Sequence, residues 1–125
     1  MRNKNLTGGL LTRQPLTPKE SVVSKSIADY LNRRKIFNCR IQSGWLRVMN
    51  WQDVVSWMHL AQKGTPDRLA VYKGFAVFIE VKRKGGKPTQ EQLEIHSQIR
   101  RGGGLVVIAE SVDDVIQILK AIDEE

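Results

Sequence analysis

Residues 68–82, RLAVY-KG-FAVFIEVK, leave this chain the fewest options. Two runs rich in Val, Ile, Phe and Tyr flank a Lys73-Gly74 turn, the pattern of a β-hairpin. The second run is apolar almost throughout, as a strand buried on both faces of a sheet is. A helix follows, with Thr89 as its cap and Gln92 as the capping-box partner, running to about Arg101. Gly102-Gly103-Gly104 stop it, and LVVIAE then reads as a core strand. Strand, helix and strand make a βαβ unit, whose strands are parallel and joined right-handedly. An antiparallel hairpin fused to a parallel unit requires a mixed sheet with helices on its faces, an α/β fold.

The flanking segments fill out this frame. Residues 1–16 contain Gly8-Gly9 and Pro15 without a period and read as an arm, which leaves 17–125 as the domain. Thr17-Pro18-Lys19-Glu20 is a complete capping box opening a helix to about Lys35. Val23, Ile27, Tyr30 and Leu31 form its buried stripe, which Glu20 borders. FNCRIQ at 37–42 looks like a short strand ended by Ser43-Gly44, with Cys39 as a small apolar filler. Residues 45–62 hold all three tryptophans and admit two readings: a hairpin turning near Asn50, or a short helix capped by Asn50. Ser111 is the expected cap of a last helix, with Val115, Ile118 and Leu119 facing inward.

Composition narrows the function. At 125 residues and 41% hydrophobic, the chain is long enough for one cored domain. No apolar stretch nears the ~20 residues that cross a bilayer, and MRNKNLTGGLLTRQ lacks a signal-type apolar core, so an intracellular protein without a membrane partner is expected. A single cysteine excludes an internal disulfide and a cysteine-rich zinc site. The net charge of +7 is carried by residues 1–40, with nine Lys/Arg against two acids, while the remainder is neutral. A basic arm on a neutral body points to a polyanion, nucleic acid first.

The charged residues among the apolar strands carry the chemistry. Asp67 follows Gly64-Thr65-Pro66, and Glu80 lies near the end of the second hairpin strand. Counting back from the Lys73-Gly74 turn puts 67 nearly opposite 80. Two carboxylates that close repel unless a cation lies between them. A hard divalent ion, Mg²⁺ or Mn²⁺, suits such oxygen ligands. Glu80 and Lys82 are two apart and share a face, which sets an ammonium beside the pair, while the Val81 carbonyl can turn toward the ion. Carboxylates, carbonyl and lysine together suit phosphodiester hydrolysis. Spacing alone also admits a plainer arrangement, with Glu80–Lys82 as an edge-strand ion pair and Asp67 capping a turn.

The ordered set G-T-P-D at 64–67, I-E-V-K at 79–82, T-x-x-Q at 89–92, Gly102 to Gly104 and S-V-D-D-V at 111–115 resembles the signature of the PD-(D/E)xK nuclease superfamily. More narrowly, it is similar to the virus-type replication-repair nuclease domain, VRR-NUC, from Glu20 to about Leu119. The resemblance implies a restriction-endonuclease-like mixed sheet flanked by helices, in a phage or bacterial setting. It implies Asp67 and Glu80 as metal ligands with the Val81 carbonyl as a third, and Lys82 as the catalytic lysine. It places Gln92 near the water or a phosphate, and gives Glu20 a share in placing the metal or its waters. Glu20 and Gln92 have capping as their alternative work. The long aromatic segment 45–63 departs from the family pattern.

Family members that are single short domains act as homodimers on branched DNA such as four-way junctions, which sets the expected substrate and assembly. The rival expectation is an inactive DNA-binding module on the same scaffold. Lys84, Lys87, Arg100 and Arg101 flank the site strand and the following helix and are candidate phosphate contacts. Trp45, Trp51 and Trp57 are read as core or dimer packing, with base stacking as the alternative. His59 and His96 share no metal-ligand spacing and read as surface or core histidines.

Overall fold

A computed structural model describes residues 18–125. The basic arm and the Thr17 cap lie outside the described residues. The element order is α1 (Pro18–Arg33), β1 (Asn38–Arg40), β2 (Trp45–Met49), β3 (Val55–His59), β4 (Arg68–Tyr72), β5 (Phe75–Val81), α2 (Gln90–Arg101), β6 (Leu105–Ala109) and α3 (Val112–Asp123). None of the described helices is long and apolar enough to cross a membrane.

The central sheet runs β1-β4-β5-β6, with β4–β5 antiparallel and β5–β6 parallel, which is the mixed α/β sheet expected. The hairpin turns in two residues, Lys73 at φ 49° and Gly74 at φ 87°, both left-handed as a type I′ turn requires. Lys73 holds its φ while its ammonium pairs with Asp123 at the end of α3. That carboxylate also accepts from Tyr72 Oη, and Arg34 donates to the same hydroxyl, so one polar cluster ties the hairpin tip to two helices.

Alternation sorts the strand residues between two faces. Ala70, Tyr72, Val77, Ile79 and Val81 form one face, and they pack with Ile27 and Leu31 of α1 and Val115, Leu119 and Ile122 of α3 into a single apolar core. Full burial of such aliphatic side chains contributes about 1.5–3 kcal/mol each. Glu80 faces the other way, toward α2. The helix stripes are as the sequence implies. α2 carries a complete capping box and ends at Gly102, with Gly103 at φ +93°.

Three sequence expectations need correction. Cys39 is exposed, because β1 is a three-residue edge strand and none of the described elements covers that face. Ser111 occupies the N-cap position of α3, but its side chain makes no cap bond; Asp114 instead accepts from the Glu110 N–H at 2.8 Å. The tryptophan segment is a separate two-stranded ribbon, β2–β3, rather than core packing: Trp45, Trp51 and Trp57 are 47%, 88% and 53% exposed. Asn50 turns the ribbon by accepting from the N–H groups of Gln52 and Val54.

Candidate active site

The site grows from the base of the β4–β5 hairpin. Arg68 pairs with Ile79, so one further step along the ladder sets Asp67 opposite Glu80. Asp67 Oδ2 accepts the backbone N–H of Val81 at 2.8 Å, a bond between residues fourteen apart in sequence. Asp67 and Glu80 are each only 1% exposed. A strand residue's N–H and C=O leave the same edge, so the Val81 carbonyl also leaves on the Asp67 side. On the opposite edge, Lys82 donates its N–H to the Ala109 carbonyl and stays bound to β6. The Gly-Thr-Pro approach positions Asp67. Gly64 sits at φ +95° with the Glu91 carbonyl pressed against it, where a Cβ would meet that oxygen at 2.7 Å. The turn that delivers Asp67 is thereby seated on the start of α2.

Helix α2 addresses Glu80 with two side chains one turn apart. Gln92 Nε2 donates to Glu80 Oε2 at 3.3 Å, and His96 Nε2 lies 3.4 Å from Oε1. Residues at i and i+4 share a helix face, which is why both reach one carboxylate. Gln92 makes the expected cap and one further contact: its amide oxygen accepts from Thr89 N–H at 2.9 Å while its nitrogen faces Glu80. His96 is fully buried, and this pushes its pKa below the ordinary value; Arg100 and Lys82 push the same way. Burial and the two cations all favour the neutral ring. With a carboxylate at Nε2, the fitting tautomer carries its proton there. Nδ1 is then a bare acceptor, with no hydrogen-bond partner among the described residues.

Lys82 Nζ stands 4.0 Å from Glu80 Oε2 with its side chain 15% exposed, so the ammonium reaches toward solvent from beside the carboxylate. Glu20, in the first turn of α1, accepts the Arg83 N–H at 3.2 Å, which pins that helix start to the end of the site strand. Lys84 and Lys87 are exposed on the loop leaving the site. Arg100 lies close enough to influence His96. Arg101 is exposed at the far end of α2, about 18 Å long by helix rise, where it donates to Ser97 Oγ. Arg101 therefore lies at the opposite end of α2 from the loop that carries Lys84 and Lys87. His59 is in the ribbon, its ring 4.6 Å from that of Trp45.

Among the described residues, no three or more His, Cys, Asp or Glu side chains are placed to hold a metal ion. The set here is different in kind: two buried carboxylates and a backbone carbonyl. Its all-oxygen, anionic chemistry fits a hard divalent cation. His96, expected as a surface or core histidine, is fully buried and lies against Glu80. Its signal was the four-residue step from Gln92, set against a strand carrying a buried glutamate.

Comparison with known proteins supplies a context. No protein-family model matches the chain. Over 63 residues it is 38% identical to "Putative nuclease p44" of Acyrthosiphon pisum secondary endosymbiont phage 1, covering 50% of this chain and 67% of that protein. Among solved structures it is similar to a "VRR_NUC domain" with a TM-score of 0.60 and 22% identity, covering 83% of this chain and 97% of that one.

Proposed function

This chain belongs to the VRR-NUC family of nuclease domains, and from that premise we propose that it is a Mg²⁺- or Mn²⁺-dependent endonuclease that hydrolyses phosphodiester bonds in branched DNA. The observation that carries this reading is the convergence of Asp67, the Val81 backbone and Glu80 at one end of the hairpin, with Lys82 Nζ 4.0 Å from Glu80.

In this reading Asp67, Glu80 and the Val81 carbonyl hold the divalent ion, which supplies Lewis acidity to a phosphoryl oxygen and to the attacking water. Lys82 orients that water and stabilises the negative charge that develops on the phosphoryl oxygens. Gln92 and Glu20 hold the surroundings of the two ligands. Glu20 does so through the backbone at Arg83, next to Lys82, and so helps place the ion or its waters. Lys84 and Lys87 flank the exit of the site strand and meet the phosphates beside the cut; Arg100 extends that basic rim.

The assembly proposed is a homodimer, whose two-fold axis suits a junction of near two-fold symmetry. The β2–β3 ribbon supports it as the dimer surface: Trp57, Met49 and Met58 are about half exposed, and an isolated two-stranded ribbon is marginal in water.

The test is incubation of the protein with labelled junction, flap and linear DNA, with Mg²⁺ or Mn²⁺ and then with chelator. The reading predicts cleavage of branched substrates that chelator abolishes, and that Lys82→Ala abolishes while DNA binding survives. Binding without product under every metal condition contradicts it and selects a non-catalytic DNA-binding module.

A further inference from the structure

We propose that His96 is a positioning residue for the Glu80 carboxylate, closing with Gln92 a two-point clamp that governs how tightly the site holds its divalent cation. The proposal rests on the nuclease reading above and extends it to a residue outside the acidic pair and the lysine.

The geometry is specific. Each oxygen of one carboxylate faces one nitrogen of α2: Oε2 faces Gln92 Nε2 at 3.3 Å and Oε1 faces His96 Nε2 at 3.4 Å. Two contacts on two oxygens fix the plane of the carboxylate as well as its position. Either contact alone constrains the last torsion less, and that torsion is broad for a glutamate. Of the residues in α2, only Ile95 and His96 are buried. Ile95 seats the helix against Gly64, where its Cγ1 would lie 3.1 Å from an added Cβ. His96 therefore occupies the other inward position, and it is used to meet a charge instead of extending the apolar core.

The chemistry of the two donors separates positioning from neutralisation. A buried carboxylate is costly without compensation, and a guanidinium in this place would supply a stronger, bidentate partner. An amide and an imidazole orient the carboxylate while leaving its negative charge available for a cation. Loss of a group that orients a ligating carboxylate typically costs 10–100-fold in metal affinity or activity. His96 also meets Glu80 with the nitrogen at the far end of its ring, while Nδ1 has no hydrogen-bond partner among the described residues, so a shorter side chain cannot substitute.

The experiment compares the full chain with His96→Leu, His96→Asn and His96→Gln. Mn²⁺ alone is titrated and followed by the loss of its free-ion electron paramagnetic resonance signal, and junction cleavage is measured in parallel. Expected is a weakening of Mn²⁺ binding by about 10-fold or more in His96→Leu and His96→Asn. His96→Gln, whose amide nitrogen reaches as far as Nε2, is expected to return binding to within about threefold of wild type. The apparent KM for DNA is expected to stay unchanged, a split that a general loss of packing does not produce. If His96→Leu fails to fold, the Asn–Gln contrast decides alone. Equal Mn²⁺ binding by Asn, Gln and wild type overturns the clamp while leaving the nuclease reading intact. Wild-type protein that neither binds Mn²⁺ nor cuts DNA overturns both.

Discussion

Val81 donates its backbone N–H to Asp67 Oδ2 at 2.8 Å, so the carboxylate next to the hairpin base is fixed by the strand that carries Glu80. Removing charge and removing the acceptor then have different consequences. Asp67→Asn keeps an oxygen for the Val81 N–H and eliminates the charge; it should unfold in urea at or above the wild-type midpoint and lose cleavage by at least about 100-fold. Asp67→Ala strands a buried N–H, which costs about 1–3 kcal/mol, and should lower the midpoint as well as cleavage.

Gly64 and Gly74 both have positive φ, yet substitution should separate them. Alanine at 74 meets nothing within 4 Å and costs only its backbone strain, about 1–2 kcal/mol. Alanine at 64 carries the same strain and places its Cβ 2.7 Å from the Glu91 carbonyl, displacing the start of α2. Thermal unfolding should therefore show a larger loss for Gly64→Ala. Cleavage measured well below both midpoints should fall for Gly64→Ala and hold for Gly74→Ala, because only the former shifts Gln92 and His96 relative to Glu80.

Thr89 and Gln92 share one capping box but only Gln92 also touches Glu80. Loss of the Thr89 cap in Thr89→Ala should cost about 1 kcal/mol of stability with cleavage near wild type. Gln92→Ala should cost a similar amount of stability and reduce cleavage about 10-fold or more, since it also removes a donor to a proposed metal ligand. Paired unfolding and single-turnover assays check the split.

Asp123 should shape the acid limb of the stability curve. Its carboxyl is held below the ordinary carboxylate value near 3.8, first by the Lys73 hydrogen bond and then by that of Tyr72. The native state thus binds this proton more weakly than the unfolded chain. The resulting stabilisation is complete above the unfolded value and is lost as the pH falls through the lower native value. Asp123→Asn should flatten the decline of urea midpoints below about pH 4 relative to wild type, and change little of its slope near neutrality.

What the sequence made legible was the part governed by local chemistry. Lys73-Gly74 between two apolar runs set the hairpin and its register, and the register brought Asp67 level with Glu80. Thr89, Gln92 and the glycines at 102–104 set both ends of α2. The segment 45–60 stayed ambiguous because Trp, Val and Met suit a core strand and an exposed ribbon equally well, and tertiary partners decide between them. For Cys39, nothing local announces that a short edge strand leaves its side chain exposed. Ser111 has the residue type and backbone of a cap, while Asp114 made the competing bond. The four-residue step from Gln92 to His96 names no ligand by itself; the facing of α2 onto Glu80 reveals its place.

The account turns on Asp67, Glu80 and the Val81 carbonyl sharing one divalent ion beside Lys82. Anomalous diffraction at the manganese edge from crystals soaked in Mn²⁺ tests this most directly. The account predicts one strong peak within about 2.0–2.4 Å of an oxygen from each of the three residues. A well-diffracting soaked crystal whose only manganese peaks lie away from Asp67 and Glu80 would contradict it.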